Sequence, residues 1–179
     1  MRHRTPRPSA GKAQKQSVHR AEDGAGLSVE LAAVVSGARR RAVRDADRQI
    51  DTAHLLHSLL ESDIEVRAVL GEGPRTARLL GYLVQRSIGY GLRWQSAVED
   101  SGSAPVVVRA AGFSPLAAAG LEYACERAAR HGGPARGVDL LAAIIVDPRA
   151  RAVEVLEHAA IDPRDLFARL EAWAGDPAH

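Results

Sequence analysis

The chain has 179 residues, 46% of them hydrophobic and 4% aromatic, and a formal net charge of +2 from 24 basic and 22 acidic side chains. That length suffices for one domain with its own core. A single cysteine, Cys125, excludes an intrachain disulfide and a cysteine-based zinc site, and no apolar run reaches the length of a membrane span.

The apolar content is mainly Ala, Leu and Val, which favours an all-α protein, since Ala and Leu form helices readily and Ala lets them approach closely. Residues 1–26 hold Arg2, Arg4, Arg7, Lys12, Lys15 and Arg20 against Glu22 and Asp23, a net of +4 that leaves 2 − 4 = −2 for the rest. With so little to bury, this segment is expected to be a disordered basic tail. No apolar stretch follows its basic residues, so it does not read as a secretory signal, and the cytoplasm is the expected compartment.

The first helix is expected to begin at Ser28, with Leu27, Leu31, Val34, Val35, Ala38, Ala42 and Val43 as its buried stripe. Arg41, Arg44 and Arg48 fall on another face, and Asp45 follows Arg41 at i,i+4. Such a stripe can contact phosphates, though charge runs commonly just solvate a helix. Thr52 is expected to cap a Leu-rich second helix running to Glu61. Asp63 opens a short third helix that Gly71 closes, and Pro74 opens a fourth whose apolar residues are Leu79, Leu80, Leu83 and Val84. Periodicity then fails from Ile88 to Gly112, a long connection rich in Gly and Ser with Trp94 and Val106–Val108 inside it.

The second half repeats the first. Phe113, Ala117, Leu121, Ala124 and Ala128 stand 86 positions after Leu27, Leu31, Val35, Ala38 and Ala42. Leu140, Leu141, Ile144 and Ile145 stand 85 positions after Leu55, Leu56, Leu59 and Leu60. Phe113-Ser114-Pro115 marks a helix start with Ser at the N-cap and Pro at the first position. Asp147-Pro148 is expected to start the third helix of this half, where Val155-Leu156 answers Val69-Leu70. Asp162-Pro163 starts the fourth, with Leu166 and Leu170 answering Leu80 and Val84, and Trp173 is expected to bury near its end. The expected organisation is a tail (1–26), a first four-helix repeat (27–87), a linker (88–112) and a second repeat (113–175), related by pseudo-twofold symmetry.

Two such units, with Ile50-Asp51-Thr52-Ala53-His54-Leu55-Leu56 in the first and Arg136-Gly137-Val138-Asp139-Leu140-Leu141 in the second, resemble the Clp N-terminal domain of the ClpC type. Phe113-Ser114-Pro115 is similar to the Phe-Thr-Pro that opens that family's second repeat. The resemblance covers about residues 27–175 and implies a freestanding N-domain, because no Gly-x-x-x-x-Gly-Lys-Ser/Thr phosphate loop occurs. It implies a module that binds proteins or peptides: Clp adaptors, protein substrates or cyclic peptide antibiotics. On this resemblance Phe113 maps to the antibiotic-binding surface, with Leu27 as its counterpart, although Phe113 also fits a core stripe. The two glutamates that the family uses for phospho-arginine are replaced by Ala53 and Val138, which implies loss of that function.

The residues themselves point to no catalysis. His54 and His57 are three apart on one helix and could share a metal, but no third ligand is evident in the sequence, so His54 reads as a helix-start residue. Cys125 reads as a small core residue. No nucleophile–base arrangement has a recognisable spacing, and no cofactor is expected. The expected function is that of an accessory, decoy or antibiotic-sequestering protein of the Clp protease system. The alternative is a DNA- or RNA-associated helical protein that uses the basic tail and the Arg39–Arg48 stripe.

Overall fold

The computed structural model describes residues 26–90, 98–99 and 112–175. Residues 1–25 of the expected tail, and Trp94 and Val106–Val108 of the linker, lie outside the described residues. The elements are α1 (Val29–Arg44), β1 (Gln49–Ile50), α2 (Thr52–Ser62), α3 (Ile64–Leu70), α4 (Pro74–Gln85), a π-helical turn (Arg86–Tyr90), β2 (Gly112–Phe113), α5 (Pro115–His131), α6 (Gly137–Ile144), α7 (Arg151–His158) and α8 (Pro163–Ala174). The described chain is mostly helical. Among the described residues, no helix is long and apolar enough to cross a membrane.

Most helix starts follow from local chemistry. Ser28, Asp63 and Ser114 each accept a backbone N–H three residues on, and Asp162 accepts from Arg164, two residues on. Two starts differ from expectation. The N-cap of α2 is Asp51, whose carboxylate accepts the His54 N–H at 2.9 Å, so Thr52 is the first helical residue. The helix expected from Asp147 begins at Arg151, because the Asp147 side chain takes the Arg149 N–H at 2.8 Å and holds a turn instead.

The core is built on α2 and α6, whose leucines Leu55, Leu56, Leu59, Leu140 and Leu141 are all fully buried. α1 packs along α2 and α5 along α6. The α1 stripe comprises Leu31, Val34, Val35, Ala38 and Ala42. It excludes Val43, which is 67% exposed because it lies one helical step off that face. Arg41 takes a place in the stripe instead, only 8% exposed and paired with Glu61. The expected Arg41–Asp45 ion pair is absent: Asp45 caps α1 through its backbone N–H, and its carboxylate lies nearest Arg44, at 3.9 Å. In α4 the buried leucines are Leu79 and Leu83, while Val84 is 51% exposed. The buried leucines of α8, Leu166 and Leu170, thus stand 87 positions after Leu79 and Leu83, not at the expected spacing from Leu80 and Val84.

Backbone pairing joins distant parts of the chain. β1 and β2 run parallel, with Gln49 opposite Gly112 and Ile50 opposite Phe113. A second parallel bridge sets Leu27 against Ala135; there the Ser28 N–H donates to the Ala135 carbonyl at 2.9 Å and the Ala135 N–H to the Gly26 carbonyl at 2.8 Å. Gly137, in the place that Thr52 holds in α2, lies against the junction of α2 and α3. A Cβ there would collide with the Asp63 carboxylate, so threonine has no room at this position.

Candidate functional site

The first turns of α2, α5 and α7 converge on a buried polar seam. Its centre is Asp51, fully buried, whose Oδ2 accepts from Arg86 and from Arg151, each at 2.6 Å. Burial alone would raise the pKa of this carboxyl. His54, Arg86 and Arg151 outweigh that and hold it well below the usual range.

Glu99, from the linker, closes the seam. It accepts the Thr52 N–H at 2.9 Å, the Arg151 N–H at 2.7 Å and the Ser114 hydroxyl at 2.6 Å, and it is bonded to the Thr52 hydroxyl as well. The Thr52 hydroxyl oxygen in turn accepts the Ala152 N–H at 3.0 Å. One carboxylate thus meets the starts of three helices, where unpaired N–H groups and the helix dipoles favour negative charge. Burial and the Asp51 charge nevertheless push the Glu99 pKa upward.

His54 lies beside this seam. Its Nδ1 is 2.8 Å from Asp51 and its Nε2 is 2.9 Å from Asp47, which the loop between α1 and β1 brings alongside. Burial opposes a charge on the ring, but the Asp51 and Asp47 carboxylates prevail and raise its pKa. Asp45 joins the same group, so that ligand atoms of Asp45, Asp47 and His54 lie within 4.8 Å of one another. His57 points elsewhere, to Glu61 at 3.5 Å, and burial together with the Arg41 charge lowers its pKa to about 4.

Beyond these groups, α1, α2 and the π-helical turn enclose an open cavity of about 720 Å³. Arg40, Arg41 and Arg44 line it, with the half-exposed Val84 and exposed Ile88 at its side. Asp45 and Glu61 line it as well, so its charge is mixed. A second cavity, about 660 Å³, is formed by Ile145, Val146, Val153, Ile161 and their neighbours at the ends of α6 and α7.

The expected site residues fall in several places. Leu27 and Phe113 are both partly buried against the core, and the Arg39 guanidinium lies over the Phe113 ring at 5.8 Å. Ala53 and Val138 are buried, at 0% and 3% exposure, so a longer side chain at either would start inside the core. Of the Arg39–Arg48 stripe, Arg39, Arg40, Arg44 and Arg48 are exposed and Arg41 is not. Cys125 is half-buried, and its burial raises the thiol pKa. Sequence reasoning missed Asp45, Asp47, Arg86, Glu99 and Arg151; the one available signal was the acidic pair Glu99-Asp100 in a stretch of small residues. No protein-family model matches the chain, and the curated proteins give no match either.

Proposed function

We propose that the chain is a non-catalytic module that binds proteins or peptides, built as two tandem four-helix repeats and related to the N-terminal domains of Clp unfoldases. In this reading it serves a cytoplasmic Clp protease system as accessory, decoy or sequestering protein for cyclic peptides.

The observation that carries the reading is the crossed pairing of Leu27 with Ala135 and of Ile50 with Phe113. Leu27 and Phe113 precede the first helix of each half, 86 positions apart, while Ile50 and Ala135 precede the second, 85 positions apart. Each half therefore gives its opening residue to the other half's second helix. Such an exchange is expected of two like units facing each other across a twofold axis, each completing the other. The burial of Leu79 and Leu83 opposite Leu166 and Leu170 supports the same duplication.

The ligand surface in this reading surrounds Leu27 and Phe113, and Ala53 and Val138 mark a lost phospho-arginine function. A guanidinium needs a carboxylate for its paired, charge-assisted hydrogen bonds, and neither side chain offers one. The test is a titration of the labelled chain, followed by NMR, with a cyclic peptide that binds Clp N-domains and separately with free phospho-arginine. Saturable shifts centred on Leu27 and Phe113 with the peptide, and none with phospho-arginine, are expected. The nucleic-acid alternative draws on the exposed Arg39, Arg40, Arg44 and Arg48. Binding to duplex DNA that weakens steeply with salt, together with no response to the peptide, would favour it and sink the first reading.

A further inference from the structure

His54 is fully buried, and its Nε2 stands 2.9 Å from Asp47 Oδ2 without forming a hydrogen bond, because the approach is off the line that a ring N–H would take. Oδ2 of Asp45, an atom of the same group, is likewise buried and accepts no hydrogen bond. Buried polar atoms are nearly always paired, and two unpaired ones within a single cluster call for a partner. Both can act as lone-pair donors to a cation.

We propose that Asp45, Asp47 and His54 bind a divalent first-row transition-metal ion, such as zinc or cobalt(II), at the junction of α1 and α2. One imidazole nitrogen and two carboxylate oxygens make up a ligand set suited to these ions, with further positions left for water. For bonds of about 2.1 Å in a tetrahedral site, neighbouring ligand atoms are about 3.4 Å apart, so Nε2 and Asp47 Oδ2, now 2.9 Å apart, would open by about 0.5 Å around the ion. Asp51 supplies the outer support: Nδ1 here accepts the Asp51 N–H at 3.2 Å, and with an ion on Nε2 the ring proton sits on Nδ1 instead, facing Asp51 Oδ1 at 2.8 Å.

Charge also bears on the site. Asp45, Asp47, Asp51 and Glu99 bring four negative charges to this region, and the buried Arg86 and Arg151 bring two positive ones. Arg44 stands 3.9 Å from Asp45 as well, so the acidic excess is one charge, and a divalent ion at Nε2 takes the place of a ring proton there. Arg86 also approaches Asp47, at 3.3 Å, but its shorter contact is the 2.6 Å bond to Asp51, which the ion leaves in place. The sequence suggested His57 as the second ligand, yet the ligands that reach His54 come from the loop before β1.

The experiment takes the full chain, stripped with a chelator, and titrates it by calorimetry with zinc chloride and by visible absorption with cobalt(II) chloride. One ion per chain is expected. Asp45→Asn and Asp47→Asn should each weaken binding by at least about tenfold, as loss of a supporting or direct ligand does. His57→Gln and Cys125→Ser should bind like the native chain. Asp45→Asn leaves the Asp51 cap untouched, and its helical circular dichroism checks that the variant is folded. Absence of saturable binding overturns the proposal, as does binding that survives both asparagine substitutions or is lost in Cys125→Ser.

Discussion

Arg151 donates to Asp51 at 2.6 Å across a hundred positions of sequence, and both side chains are buried. The pair joins the start of α7 to the cap of α2. A buried ion pair adds modest net stability when whole, because removing two charges from water offsets their attraction, but losing one partner strands the other. Arg151→Met is therefore expected to destabilise the chain by about 3–5 kcal/mol, measured by urea unfolding.

Glu99 offers a second test of the seam. Glu99→Ala removes the acceptor for the Thr52 and Arg151 N–H groups and for the Ser114 hydroxyl. A loss of at least about 2 kcal/mol is expected, since hydrogen bonds to charged groups each contribute about 1.5–3 kcal/mol. Amide exchange at Thr52 and Arg151 should quicken more than at Leu121. Unchanged exchange at those two amides would show that water replaces the carboxylate.

His57 makes stability fall on the acid side. Its pKa is about 4 in the fold against 6.5 for the free side chain, so between these values the unfolded chain binds the extra proton. Stability from this group is complete above pH 6.5 and is lost as the pH falls toward 4. His57→Gln should flatten the slope of unfolding free energy across that window relative to the native chain. Equal slopes in the two proteins would refute the assignment.

Two glycines should respond oppositely to the same substitution. Nothing lies within 4 Å of a Cβ placed on Gly81 in α4, so Gly81→Ala is expected to stabilise the chain by about 1 kcal/mol through helix propensity. Gly137→Ala drives its methyl into the Asp63 carboxylate that caps α3, and a loss of about 1–2 kcal/mol is expected. Thermal midpoints of the two variants, set against the native chain, are the measurement.

The parts of the fold that were legible in the sequence are those governed by neighbours. Ser28, Asp63, Ser114-Pro115 and Asp162-Pro163 announce helix starts because capping is settled within three or four residues. The face of α4 was not legible: Leu79, Leu80, Leu83 and Val84 offer two adjacent stripes, and only packing against the rest of the core selects Leu79 and Leu83. Arg41 was misjudged for a related reason. An arginine on a helix usually marks the solvent side, but the Glu61 carboxylate lets this one sit in the buried stripe. The seam was the least legible part. Asp51, Arg86, Glu99 and Arg151 belong to separate segments, and no spacing within any of them shows that they meet.

The bridge between Leu27 and Ala135 also bears on how the chain is made. The cap of α1 is finished only when the Ala135 carbonyl accepts the Ser28 N–H, and β1 waits for Phe113. During synthesis the first contact waits for 135 − 28 = 107 further residues and the second for 113 − 50 = 63, so the first half emerges with its opening turn incomplete. Nascent chains stalled before residue 135 should therefore remain open to proteases at Gly26–Ser28, and those stalled well beyond it should not.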